Sequence, residues 1–597
     1  VEVGVRFESY SQRDTPDATS GDNAFQFIDM TRDKPNVQAG GISLGQNTRL
    51  RTGRIKQRKG TFMPGDFNPP VGFGNYLVGS GVFRDPNGDE LLVVAPANVA
   101  YTWNLRHGRD PFKILYANGS PGDPTGTNGA GGGVNGVQFV QAFDKLILLR
   151  RPLVGAENLV WDGGTSTEWE TMTLSSAGRT LIPGMFNGEP FMDRIIYYKA
   201  NAPGVGTRDQ WLISDYGDYT SYDAVYQAFR TNSAEADFIT KVMPYYRDSV
   251  IIFKNQSIHM SEFARTLPVQ RSERIVNKTI GSVGNKMPLM IGGDVLFASM
   301  PQGFYSLSEV IQEQIATLPT PISESIQPVI DDINWPITLQ MGCSVALDNY
   351  AFFGVAIGRG ATRLNTILVY DTQRKVWESA GDTWRDPTFA FNALHVTNYD
   401  AVGRVFAIDY LTSAIYLLYE GLADELVTGT FSVPFKMETR GYVGDDPIAF
   451  KRWGRGIVSI ATYEPDVTVT AIVDGYNEEK EVARITKNRQ RYYQHGRADF
   501  DVLTDDPDEQ KRHDYSLSDP DNFVADDFED LPEGEINSIP PTSPPILGPL
   551  QETSERMLIR SFGRYCALRI ENNEGACEVT SVGLESTHAV NTTRTAA

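Results

Sequence analysis

One pattern constrains this chain more than any other feature. A short turn carrying Asp or Gly leads into a strongly apolar strand, and a second apolar or aromatic strand follows. The pairs are Asp89–Val94 before Val99–Trp103, Asp144–Leu149 before Leu159–Asp162, and Asp193–Tyr198 before Gln210–Ser214. They continue with Asp248–Phe253 before Ser257–Met260 and Asp294–Ala298 before Gly303–Leu307. Asp348–Phe353 before Thr366–Tyr370 and Gly403–Ile408 before Ala414–Leu418 complete the series. The anchors fall at 89, 144, 193, 248, 294, 348 and 403, a period of about 50 residues. Strands this continuously apolar are covered on both faces. A unit that can cover its faces only with a neighbour builds an array, and four-stranded units of this period build a closed ring.

The expected fold is therefore all-β: a β-propeller over 81–421, followed by a C-terminal β-sandwich over 422–597. Seven anchors predict seven blades, with six or eight as the alternatives. A run of irregular sandwiches is the competing architecture. The length, 597 residues, exceeds one core and agrees with more than one domain. The sandwich is read from Thr428–Val433, Gly456–Ile460, the alternating Val467–Val473, Met557–Tyr565, Leu568–Asn573 and Cys577–Val582. Residues 1–80 do not fit the repeat and are expected to be an N-terminal arm with docking strands.

Two charged segments stand out. Arg49, Arg51, Arg54, Lys56, Arg58 and Lys59 form the one dense basic stretch. It reads either as a solvated hairpin or as a docking surface for an acidic neighbour or DNA phosphates. Residues 499–550 are acidic and then proline-rich, including Asp505, Asp506, Asp508, Asp526, Asp527, Glu529 and Asp530. Such a composition cannot bury a core. It is expected to be a solvated loop, or an extended channel or gate segment ordered only in an assembly.

No chemistry is legible. The six histidines show no metal-ligand spacing. The glycines of 126–136 lack the Lys-Ser/Thr of a phosphate loop. Carboxylates are too numerous for any pair to signify glycoside hydrolysis. No catalytic residue, metal or cofactor is expected. The three cysteines are too few for a disulfide framework, although Cys566 and Cys577 could face each other across a hairpin. Val1 to Arg6 has no basic region leading into an apolar stretch, and no apolar run is long enough for a membrane helix. The net charge of −21 opposes phosphate binding yet suits a surface past which DNA slides.

Several stretches together resemble the propeller-containing tail proteins of short-tailed bacteriophages, the nozzle, tail tubular B or hub proteins. They are Gly40–Leu44 with Gly53–Gly60, Asp248–Lys254 with Ser257-Ile258, and Ile280–Val283 with Gly293–Phe297 and Gly303–Leu307. Ile367–Asp371 with Val376-Trp377, and the closing Gly563–Tyr565 strand, add to them. The resemblance implies a virion protein assembled in the host cytoplasm into a ring, of six copies in the family. It implies contacts with adaptor or portal-side proteins, with tail fibres or spikes, and with genomic DNA passing through the lumen. It brings no catalytic residues. A propeller glycosidase or depolymerase, and a receptor- or carbohydrate-binding propeller, are the alternatives.

Overall fold

The computed structural model describes residues 5–7, most of 24–485 and 551–588. The chain forms two compact units. One comprises Met63–Lys375 and Pro387–Leu418; the other comprises Val1–Phe62, Val376–Asp386 and Tyr419–Ala597.

The first unit is a seven-bladed β-propeller. Its innermost strands are Leu77–Arg84, Gln138–Ala142, Met185–Phe191, Ile239–Tyr245, Leu289–Ile291, Cys343–Leu347 and Phe391–Tyr399. Each pairs antiparallel with the strand that follows it, and that strand pairs with a third. The seven strand pairs read from the sequence are these second and third strands. The ring closes because the innermost strand of blade seven packs on that of blade one. The outermost strands of blades one and two, Phe112–Tyr116 and Glu168–Thr171, pair in parallel. That requires the two blades to point the same way.

Burial between blades holds the ring. Phe83 and Val93 of blade one share a core with Phe139, Leu148 and Trp161 of blade two. Val140 and Leu149 of blade two meet Ile195, Tyr197 and Leu212 of blade three. Tyr198 and Trp211 then meet Val242 and Ile252 of blade four, and Phe253 meets Phe297 and Tyr305 of blade five. Burying side chains of this size stabilises by about 1.5–3 kcal/mol each. Blade five departs from the four-stranded expectation. After its third strand the chain enters a helix, Leu307–Glu313, whose Leu307 and Val310 complete that core. The i, i+3 spacing turns both residues to one face.

The second unit is a two-sheet β-sandwich, and it redraws the expected boundaries. Residues 27–57 are not a separate arm. Gly41–Gln46 pairs with Phe435–Thr439. Arg54–Gln57 pairs with Ala576–His588. One sheet runs 48–51, 54–57, 576–588, 451–463, 551–563; the other runs 27–28, 41–46, 435–439, 566–572, 467–473, 478–485. The N-terminal strands are needed because the C-terminal strands alone leave the edge strands 435–439 and 576–588 unpaired. Cys566 and Cys577 lie in different sheets rather than across one hairpin, and both are buried free thiols.

Candidate functional site

The expected gate residues Asp505, Asp506, Asp508, Asp526, Asp527, Glu529 and Asp530 lie outside the described residues, as does the whole of 499–550. The basic stretch is described, apart from the side chain of Arg51, and much of it faces inward. The Arg58 guanidinium donates to both Asp424 oxygens at 2.9 and 2.8 Å, to Asn47 Oδ1 at 2.7 Å and to the Thr383 carbonyl at 2.7 Å. It also lies 5.0 Å from the Trp384 ring. Arg49 donates to Asp382 at 2.5 and 3.0 Å, beside Glu378, under a Tyr419 ring 4.8 Å away. Burial opposes the Arg49 charge, but Asp382 outweighs it and raises its pKa above the ordinary guanidinium value. These two arginines are enclosed by partners within the second unit and have no face to offer a phosphate. Arg54 and Lys56 both reach Glu578, at 3.1 Å each, and Lys59 lies 3.8 Å from Glu420.

The polar groups that the structure gathers are in the propeller, around its axis. Each blade contributes from its innermost strand or the residues just before it: Ser80, Gln138, Asn187 with Glu189, Lys241, Asn285 with Lys286, Ser344 and His395. Most of these groups reach across to another blade. Ser80 Oγ bonds His395 Nε2 at 2.8 Å. Gln138 donates to the Gly188 carbonyl at 3.1 Å and accepts from its N–H at 3.3 Å. Lys241 pairs with Glu189. Ser344 Oγ donates to the Lys286 carbonyl at 3.0 Å.

Asn285 Nδ2 donates to Asn187 Oδ1 at 2.5 Å, joining blade five to blade three. Those blades are not neighbours, so the contact passes across the inner edge of blade four. The His395 imidazole is pushed down to about 3, by burial and then by the Lys286 charge, and is neutral at physiological pH. Burial likewise lowers Lys286. Sequence reasoning missed this ring of groups. The available signal was one polar residue roughly four to nine positions before each anchor, inside an otherwise apolar strand.

One end of the propeller is unusual in a second way. In an antiparallel blade the first and third turns emerge at the same end. Phe143, Met192, Tyr246, Met290 and Val402 lie at or beside the first turn of five blades, and Tyr216, Val225 and Tyr226 lie in the third turn of blade three. All eight are exposed, Tyr216 at 70% and Tyr246 at 71%. Phe143 and Asp144 have φ of 52° and 58°, and Met192 and Asp193 have 50° and 56°. Two successive positive φ values make the two-residue hairpin turn that matches strand twist. Asp tolerates this conformation, which accounts for the anchors Asp144, Asp193 and Asp348; Phe and Met do not favour it. A shallow groove of about 430 Å³ runs between these two hairpins, lined by Gln141, Phe143, Pro190, Met192 and Arg194.

The fold therefore defines a propeller protein carrying a second, sandwich unit built from both ends of its chain. No protein-family model and no curated protein matches it. Among solved structures, YCF48 bound to a D1 peptide is similar at 11% identity, over 59% of this chain and 93% of that one, with a TM-score of 0.32. A catalytically inactive virginiamycin B lyase from Staphylococcus aureus, with quinupristin, is similar at 11% identity over 59% and 97%, with a TM-score of 0.34. Neither similarity assigns an activity. Among the described residues no group of three His, Cys, Asp or Glu side chains is placed to hold a metal, and no helix is long and apolar enough to cross a membrane.

Proposed function

We propose that this chain is a non-enzymatic structural subunit of a short-tailed bacteriophage tail, a nozzle or hub protein that assembles into a ring. The ring conducts and retains genomic DNA and contacts adaptor and fibre proteins. One observation carries the reading: the exposed apolar side chains of the propeller concentrate on one end, some of them on backbone that disfavours them. A face of this kind is kept for contact with another protein. The innermost strands of the propeller are joined from blade to blade by Ser80–His395, Gln138–Gly188 and Glu189–Lys241, and a ring of single strands so closely tied is no path for DNA. The conduit is then the space enclosed by several copies, and the net charge of −21 keeps phosphates from adhering to it.

The test is native mass measurement and negative-stain microscopy of the purified full chain. A closed ring with a lumen wide enough for duplex DNA is expected. A monomer at every concentration, with saturable binding on a glycan array, would replace this reading with a carbohydrate-binding propeller. The exposed Tyr216, Tyr226 and Tyr246, which offer flat amphipathic rings, favour that second reading. Release of reducing ends from a capsular polysaccharide would instead identify a depolymerase.

A further inference from the structure

The groove between the blade-two and blade-three hairpins is flanked by aromatic rings. Phe143 lines it and is backed by Tyr219, with ring centroids 6.4 Å apart. Asp193 and Arg194 also line it, and both hold Tyr216 at its rim. The Tyr216 hydroxyl donates to Asp193 at 3.2 Å, and the Arg194 guanidinium lies 5.8 Å from the Tyr216 ring. Pro190 and Met192 add apolar surface. The amide of Gln141, which could have served a ligand, is spent on the Arg84 backbone. Such a groove offers much apolar contact and few hydrogen bonds. An ordinary peptide laid in it would strand backbone N–H donors; a proline has none to strand. Aromatic grooves of this kind take polyproline II segments, whose extended backbone is set in advance.

The chain carries such a segment in its own sequence. Residues 539–550 read Ile-Pro-Pro-Thr-Ser-Pro-Pro-Ile-Leu-Gly-Pro-Leu and hold no charge, although the acidic stretch lies just before them. A polyproline II helix repeats every three residues, about 9 Å, which puts Pro541, Pro544 and Leu547 on one apolar edge. We propose that the groove binds residues 539–550 of a neighbouring copy of this chain. The proposal rests on the reading of a ring built from such copies: a segment of one copy seated in the groove of the next is a head-to-tail contact, the kind that closes rings.

The experiment uses two full-length variants. Phe143→Asn removes one side of the groove and suits the φ of 52° at that turn, so folding is retained. Pro541→Asp combined with Pro544→Asp spoils the segment. In sedimentation velocity each variant alone should associate at least tenfold more weakly than wild type. An equimolar mixture should form pairs, since each supplies what the other lacks. A labelled peptide of residues 536–550 should bind the double proline variant saturably, and at least tenfold more weakly once Phe143→Asn is added. Wild-type association by either variant, or a mixture that forms no pairs, overturns the proposal and leaves the ring reading standing. A wild type that stays monomeric overturns both; peptide binding then separates a groove filled by its own chain from a groove with no affinity for proline.

Discussion

At the residue scale, Arg58 and His395 show how a side chain's partner changes its meaning. Both Arg58 and Asp424 have fully buried side chains. Removing one partner of such a pair strands the other, at a cost of about 3–5 kcal/mol. Arg58→Ala is expected to lose that much in denaturant unfolding of the chain. Arg54→Ala, whose pair with Glu578 is half exposed, should cost about 0–1 kcal/mol. His395 makes the opposite contribution. With its folded pKa down at about 3, the native state refuses a proton that the unfolded chain accepts near its ordinary value. Its contribution to stability is complete above the ordinary value and declines as pH falls toward 3. His395→Gln should therefore narrow the gap between melting temperatures measured at acid and neutral pH.

At the scale of elements, the propeller depends on how closely adjacent innermost strands approach. A Cβ at Gly79 would lie 2.5 Å from the Val137 carbonyl oxygen and 2.6 Å from its side chain. Backbone cannot yield as a flexible side chain does, so Gly79→Ala pushes blades one and two apart. The expected loss is about 1–3 kcal/mol. Gly360→Ala, with nothing within 4 Å of the added carbon, is the matched control and should be near neutral in the same thermal melt. Elements also show what was readable in advance. The second and third strands of each blade are apolar on both faces and so were visible as strands. The innermost strands were not, because Ser80, Gln138, Lys241 and His395 interrupt their apolar character to serve the axis. Nor was the Leu307–Glu313 helix, which stands where the repeat demanded a strand.

At the scale of the whole molecule, the exposed end of the propeller sets assembly against stability. Met192 is 40% exposed and has a φ of 50°, a conformation that Asn adopts more easily. Met192→Asn should leave the melting temperature unchanged or raise it, while weakening association in sedimentation velocity. Equal association by variant and wild type would remove this end from the interface. The trade is the one expected where function keeps a residue that folding alone would replace.

The sequence by itself located the middle strands of the blades, as seven pairs, because a strand buried on both faces must be apolar wherever its partners lie. It also determined that the turns carry Asp or Gly, because a left-handed backbone admits few other residues. Only the tertiary structure decided which carboxylates meet Arg49 and Arg58, since Asp382 and Asp424 lie 333 and 366 residues away along the chain. Only it decided that strands from both ends form one sandwich, and that polar residues of the innermost strands bond from blade to blade. Pattern along a chain records how much of a residue is buried; which groups share that burial is settled when distant segments close on each other.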